Sequence, residues 1–461
     1  MSAPGGGRLT LVRQGGFIPG PEETRSGKNE SYEVSWDGNW LYDTRAREVS
    51  FRENVRLVSE DLNLSSQSLW VAFKEEAEEE EEEERPLRVE AAGDVVVVTA
   101  KPEGILRGDE FIYDGKKKVS TIRGNPAEFS WPSTVSGAEG KKQNILRAST
   151  ISFETELGNA HAEGQGNLVF HTQEDFVPKM PPPGETAPTP LKKEIPSQVE
   201  ISWKDKASFT DNFNHLVFFK DVEIVRGSMT IRAQKFEIIL QETEAGQRTL
   251  SQASAREEVL IKGEDFEARG NSLVRKEKIA LLEGTPLAEV RQGTSLIKSD
   301  TIEWDEQNQL LKAGAGEFTT IKNKKDESGR ELPPERTDVR WKGQMFYDQG
   351  KGEALFREDT ELIGPEGVIK ADTLQMGFEK KNNNLLWLVA RGNVFAEGKN
   401  RKARCNDLFW DAKERMAILT GAPEVELWEG ETRTLWSKAR YWPEADRIVL
   451  EGGAYVTTSP E

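Results

Sequence analysis

At 461 residues the chain is longer than one compact core allows, and its net charge of −18 argues against nucleic acid as a partner, because phosphate binding runs on clustered lysine and arginine. The lone cysteine, Cys405, excludes an intramolecular disulfide, and no stretch approaches the roughly 20 apolar residues of a membrane-spanning helix. Hydrophobic residues make up 36% and charged residues 31%, with 40 glycines and 21 prolines, a balance that suits many short strands joined by turns.

Residues 1–30 are rich in glycine, proline and charge and are expected as a disordered tail. Their opening, MSAPGGGRLTLVRQGG, has no apolar run after its arginines, so no export signal is visible. A strand-like repeat region is expected over 31–176, interrupted at 75–85 by an acidic loop in which Glu75 to Glu84 holds nine glutamates and one alanine. Residues 177–198 form a proline-rich insertion that cannot join a sheet ladder. A second repeat region is expected over 199–456, with a polar loop at 322–336. Ala253 to Val259 suits a turn or two of helix, but no sustained 3.6-residue period with caps occurs, and the fold class is all-β.

One pattern recurs along the chain: apolar, any, small, any, any, apolar, any, then aromatic or apolar. It is met by Leu64-Ser66-Leu69-Val71, Leu106-Gly108-Phe111-Tyr113, Leu146-Ala148-Ile151-Phe153, Ile231-Ala233-Phe236-Ile238, Ile297-Ser299-Ile302-Trp304, Ile369-Ala371-Leu374-Met376 and Ala403-Cys405-Leu408-Trp410. Two weaker windows, Ala268-Gly270-Leu273-Arg275 and Leu435-Ser437-Arg440-Trp442, put an arginine in an apolar slot. Strand side chains alternate with period two. A parity switch at the small residue therefore reads as a corner that keeps both apolar pairs on one core. The next glycine follows at 14 to 16 residues, as from Gly108 to Gly124 and from Gly270 to Gly284, and three of these glycines continue as Gly-x-Pro, at 124–126, 284–286 and 421–423. Two long gaps between copies are filled by degraded copies near Val199 to Phe209 and Lys342 to Asp348. Such a period means an elongated array whose units bury their apolar faces on their neighbours.

Candidates for chemistry are few. His161, His171 and His215 lack metal-ligand spacing, neither a phosphate-binding glycine loop nor a nucleophile elbow occurs, and neither cofactor nor metal is expected. Asp43, Asp114, Asp305, Asp348 and Asp411 each follow an aromatic residue, and paired carboxylates can do glycosidase work. These acids recur with the repeat, however, and an aspartate opening a turn binds the backbone two residues on, so they read as turn structure and the chain as non-enzymatic. The apolar repeat positions either fill a closed core or line a groove for acyl chains.

Gly367 to Gly398, Arg401 to Gly430, ILRGDEFIYDGKKKVSTIRGNPAEF and LIKSDTIEWDEQNQLLKAGAGEF share a small residue followed by Asp or Asn, an aromatic-Asp pair before a turn, and a late Gly-x-Val or Gly-x-Pro-x-Val. On these features most of residues 40–456 resembles the OstA-like repeats of periplasmic lipopolysaccharide-transport proteins. The resemblance implies a β-jellyroll, or V-shaped folded antiparallel sheet, whose interior shelters the acyl chains of lipopolysaccharide or a similar acylated lipid. It implies a periplasmic place, and partners of the same kind joined through edge strands. It also assigns the groove lining to Phe111, Tyr113, Ile302, Trp304, Leu374, Met376, Phe378, Leu408 and Trp410. The other reading is a structural or adhesive β-solenoid with a closed core that binds carbohydrate or protein on its surface.

Overall fold

In the computed structural model the described residues are 2–458 apart from 4, 15–28, 61, 74–85, 101–102, 138–139, 155–156, 173–196, 243–247, 265, 323–332, 380–383, 399–400, 444, 446 and 453–454. They form antiparallel strands and the turns between them, with no helix. Two compact units divide at Ala255 and Arg256, the first holding 1–174 with 193–255 and the second 256–461. The acidic loop and nearly all of the proline-rich insertion lie outside the described residues. The insertion joins two strands that pair with each other, Thr172 opposite Ser197 and Gly166 opposite Trp203, so its two ends belong to one unit.

Most strands are 11 to 19 residues long and carry a register shift near the middle. Ser295–Asp305 shows why. Ser295, Ile297 and Ser299 are buried on one parity and Ile302 and Trp304 on the other, so the strand turns its apolar side through a corner at Asp300-Thr301. The small residue sits where the neighbouring backbone comes closest. A Cβ at Gly270 would lie 2.6 Å from the Glu283 carbonyl oxygen.

Facing strands turn the same corner differently. Glu53-Asn54, Lys220-Asp221 and Glu358-Asp359 have φ between 47° and 70°, the left-handed region that Asn and Asp enter more readily than most residues. The Gly-x-Pro strands leave the corner out of the ladder, with pairing lost between Glu283 and Ala288 and between Thr420 and Val425. A proline there forfeits no ladder hydrogen bond.

The corner folds each sheet onto itself. Phe153 pairs with Ser120 and Phe129 with Leu146 on the same two strands, yet the Phe129 and Phe153 ring centroids are 5.0 Å apart. The inner faces of the two halves become the core, with Leu57, Leu64, Val97 and Leu146 of one half and Leu69, Val89, Phe111 and Ile122 of the other all 3% exposed or less. Outer faces carry charge ladders such as Glu128 between Arg107 at 3.0 Å and Arg147 at 2.9 Å.

Three sequence expectations change. Gly7–Gln14, inside the segment expected as a disordered tail, is a strand paired with Asn29–Trp36, because Leu9-Thr10-Leu11-Val12 is strand-forming and an edge is there to receive it. Ala253 to Val259 belongs to the strand Arg248–Lys262, where Glu257 and Glu258, at φ 63° and 55°, form a corner. The two degraded copies are a second kind of strand, interrupted rather than folded. Ser197–Trp203 with Lys206–Thr210, and Glu335–Trp341 with Met345–Asp348, each break after a tryptophan, as do Asn29–Trp36 with Trp40–Asp43. Each pairs with another interrupted strand that breaks at glycine, such as Asn159–Glu163 with Gly166–Thr172. The indole N–H closes the joint: Trp203 Nε1 donates to the Gly164 carbonyl at 3.1 Å, Trp36 Nε1 to Gly5 at 3.3 Å, and Trp341 Nε1 to Gly314.

Candidate functional site

The candidate site is the apolar interior, built by cross-strand register. In the second unit Trp304 stands opposite Leu311, Leu311 opposite Tyr347, Tyr347 opposite Ala354, Ala354 opposite Met376, and the line continues through Leu388 to Trp410. A parallel line runs Ile302, Ala313, Met345, Phe356, Leu374, Ala390 and Leu408. Six of the residues proposed from sequence therefore lie on two adjacent lines along one inner face. Side chains directly opposite on such a face stand about 5 Å apart, so each line is continuous apolar surface.

Phe111 and Tyr113 occupy the same two positions in the first unit, opposite Ala91 and Val89. Phe111, Ile302 and Leu374 are exposed by 1% or less, and Tyr113, Trp304, Met376 and Leu408 by no more than 4%. Phe378, at 9%, lies at the turn end, where its N–H donates to the Gly352 carbonyl. Trp410 departs from the expectation and is only half-buried. It stands between Leu388 and Ala417 on the neighbouring strands.

Sequence reasoning missed the other half of the lining. Ile297 faces Phe318, Phe318 faces Val339, and Val339 faces Leu362, all beyond the corner. The apolar residue two before each small position was the available signal. The two arginine windows resolve in opposite ways. Arg440 points outward to Glu451 at 3.1 Å, while its neighbour Ala439 is buried at 1% exposure. Arg275 shares the inner face with Leu273 and is 3% exposed.

The recurrent aspartates are turn formers. Asp43 accepts from the N–H groups of Arg45 and Ala46 at 2.9 and 3.1 Å, Asp114 from Lys116 and Lys117 at 3.1 Å each, and Asp411 from Lys413 and Glu414 at 2.9 and 3.0 Å. Asp305 accepts from the Asn308 N–H and side-chain amide, and Asp348 from the Lys351 N–H. Backbone N–H groups hold the Asp43 and Asp305 carboxyls below the usual carboxylate range, and the Lys351 ammonium does the same for Asp348. Each acid serves its own turn. Among the histidines, His215 Nε2 shares a hydrogen bond with Glu237 at 2.7 Å, and burial lowers the pKa of His171.

A sheet folded on itself around continuous apolar lines, with its recurrent acids spent on turns, defines the chain as an all-β repeat protein with an apolar interior. Residues 204–310 match the family described as LptA/(LptD N-terminal domain) LPS transport protein. LptH, the LptA-homologous periplasmic component of the lipopolysaccharide transport device from Pseudomonas aeruginosa, aligns with 27% of this chain and 95% of its own at 12% identity and a TM-score of 0.24. No curated protein matches the chain.

Proposed function

We propose that the chain is a non-enzymatic scaffold for lipopolysaccharide or a similar acylated lipid, holding acyl chains in its apolar interior and acting in the periplasm. The observation that carries this reading is the pair of apolar lines that run from Ile302 and Trp304 to Leu408 and Trp410, starting inside the segment that matches the transport family. At roughly 0.8 kcal/mol per buried CH₂, one chain of about a dozen carbons supplies on the order of 10 kcal/mol. Acyl chains enter by parting the two halves, exchanging protein contacts for lipid contacts. Partners of the same fold join at sheet edges. The last interrupted strand, Arg447–Glu451 with Tyr455–Thr458, pairs on one side among the described residues, and strands of its kind elsewhere receive a tryptophan-bearing strand on the other.

Photocrosslinking to purified lipopolysaccharide tests the proposal, with probes at Trp304 and Leu374 and an outside control at Asp305. Crosslinks at the first two and not the third are expected. The closed interior, with Leu374 1% exposed, favours a second reading: a structural solenoid with a dry core. Folded protein without any crosslink would establish that one instead.

A further inference from the structure

Among the described residues, each strand that breaks after a tryptophan is met by a strand that breaks at glycine, and the register sets tryptophan opposite glycine every time. The pairs are Trp36 with Gly7, Trp203 with Gly166, and Trp341 with Gly316. The indole leaves no room for a side chain there. A Cβ would lie 2.7 Å from the Trp36 ring at Gly7 and 2.4 Å from the Trp203 ring at Gly166, closer than carbon atoms approach. Two residues on, Leu9, Leu168 and Phe318 stand opposite Val34, Ile201 and Val339.

The second and third glycine strands also pair on their other side with the folded strand that precedes them, Leu168 with Leu146 and Phe318 with Ile297. Gly7–Gln14 differs. Among the described residues it pairs with Asn29–Trp36 alone, and Ser2–Ala3 pairs with Trp40–Asp43 across the break. Both halves of a repeat's closing strand are thus seated at the head of the chain without the repeat that would carry them. The tail is the converse. Tyr455–Thr458 pairs with the folded strand Thr432–Trp442, Val456 opposite Thr434, and with no tryptophan-bearing strand among the described residues.

We infer that Ser2–Ala3 and Gly7–Gln14 are a built-in cap on the tryptophan edge of Asn29–Trp36 and Trp40–Asp43. The cap holds the place that the tail strand of a second copy takes when the cap leaves, by adding its own strand to the open edge. Carried on the same chain, the cap competes at an effective concentration on the order of a millimolar, so it keeps a second copy at micromolar levels out even at equal intrinsic affinity. In sequence the tail is also the poorer fit, because it carries Ala454 two residues before Val456, the place that Gly7 holds before Leu9. The inference rests on the edge-joining part of the reading above and is independent of whether the interior holds lipid.

Light scattering of the full-length protein over a wide range of concentration tests the cap, using wild type, G7V, A454G and G7V/A454G, with hydrogen exchange following Asn29–Trp36 in each. Wild type and A454G are expected to stay single. G7V, whose branched side chain the Trp36 ring excludes, should speed exchange in Asn29–Trp36 while the rest of the unit keeps its protection, and should associate as concentration rises. The double variant should associate at least tenfold more strongly than G7V. A peptide of residues 1–14 added in trans should return both to single copies, and the same peptide carrying G7V should not.

Chains formed by wild type, or wild-type protection of Asn29–Trp36 in G7V, would overturn the cap. A double variant that exposes the strand and stays single would overturn the second copy as its partner. Association that the 1–14 peptide does not reverse would lie at another surface and overturn the edge. Lipid crosslinking at Trp304 and Leu374 is read separately, so either reading can fail without the other.

Discussion

The Phe129 and Phe153 rings meet edge to face at 75° with centroids 5.0 Å apart, although Phe129 pairs with Leu146, seven positions before Phe153 on the same strand. A flat sheet would hold them about 23 Å apart at about 3.3 Å per residue. Their contact is the fold of the sheet expressed in one pair, and Trp131 extends it by stacking on Phe129 at 4.8 Å.

Phe129→Ala should therefore destabilise the first unit by about 3–5 kcal/mol, the usual range for emptying a buried phenylalanine site. Phe129→Leu should cost about a third of that. Urea midpoints followed by tryptophan fluorescence measure both. Equal effects would mean that the halves close without this contact.

Trp203→Phe removes the indole donor from the Gly164 carbonyl and leaves an aromatic ring at the site, where Trp203 lies tilted against Phe218 with centroids 5.3 Å apart. A loss of about 1 kcal/mol is expected, the net worth of one hydrogen bond. Hydrogen exchange should quicken first in Gly166–Thr172 and Ser197–Trp203, the strands that this joint holds in register.

Burial and the nearby Asp407 carboxylate push the Cys405 thiol up to about 12. At about pH 8 only on the order of one thiol in ten thousand is ionised, and the thiolate is the reactive species. Iodoacetamide should leave the native protein unmodified and label it fully in about 6 M guanidinium. Rapid native labelling would show that the corner at Cys405 opens.

Asp43, Asp305 and Asp348 ionise more readily folded than unfolded, so each contributes stability that is present above its ordinary value of 3.8 and lost as pH falls through its lowered native value. The thermal midpoint should decline below about pH 4. The triple variant D43N/D305N/D348N, which keeps acceptors for the turns, should decline less steeply. An unchanged slope would assign the acid sensitivity to other carboxylates.

Much of this was legible in the sequence. The parity switch at Ser299 located the corner because period-two alternation admits no other way to bury Ile297 and Trp304 together. The aspartate turns were legible because their chemistry is local. What escaped depends on longer range. Arg275 and Arg440 occupy look-alike windows, and only the register of each strand decides that one turns in and the other out. Trp410 reads as interior from its place in the repeat, yet it is only half-buried, because burial depends on what closes over a side chain and not on its parity alone. The interrupted strands passed as worn copies because the break after Trp203 or Trp341 shifts the apolar spacing. Val-x-Trp at 339–341 and Ile-x-Trp at 201–203 offered a signal that went unread.

The pairing of Thr172 with Ser197 makes the proline-rich insertion a splice point. Its two ends are already fixed beside each other by the ladder, and closure entropy grows only slowly with loop length, by about 0.6 kcal/mol per doubling. An affinity handle, a protease site or a fluorescent domain spliced between them leaves every rung in register. The protein thus offers its own handle for tethering and labelling.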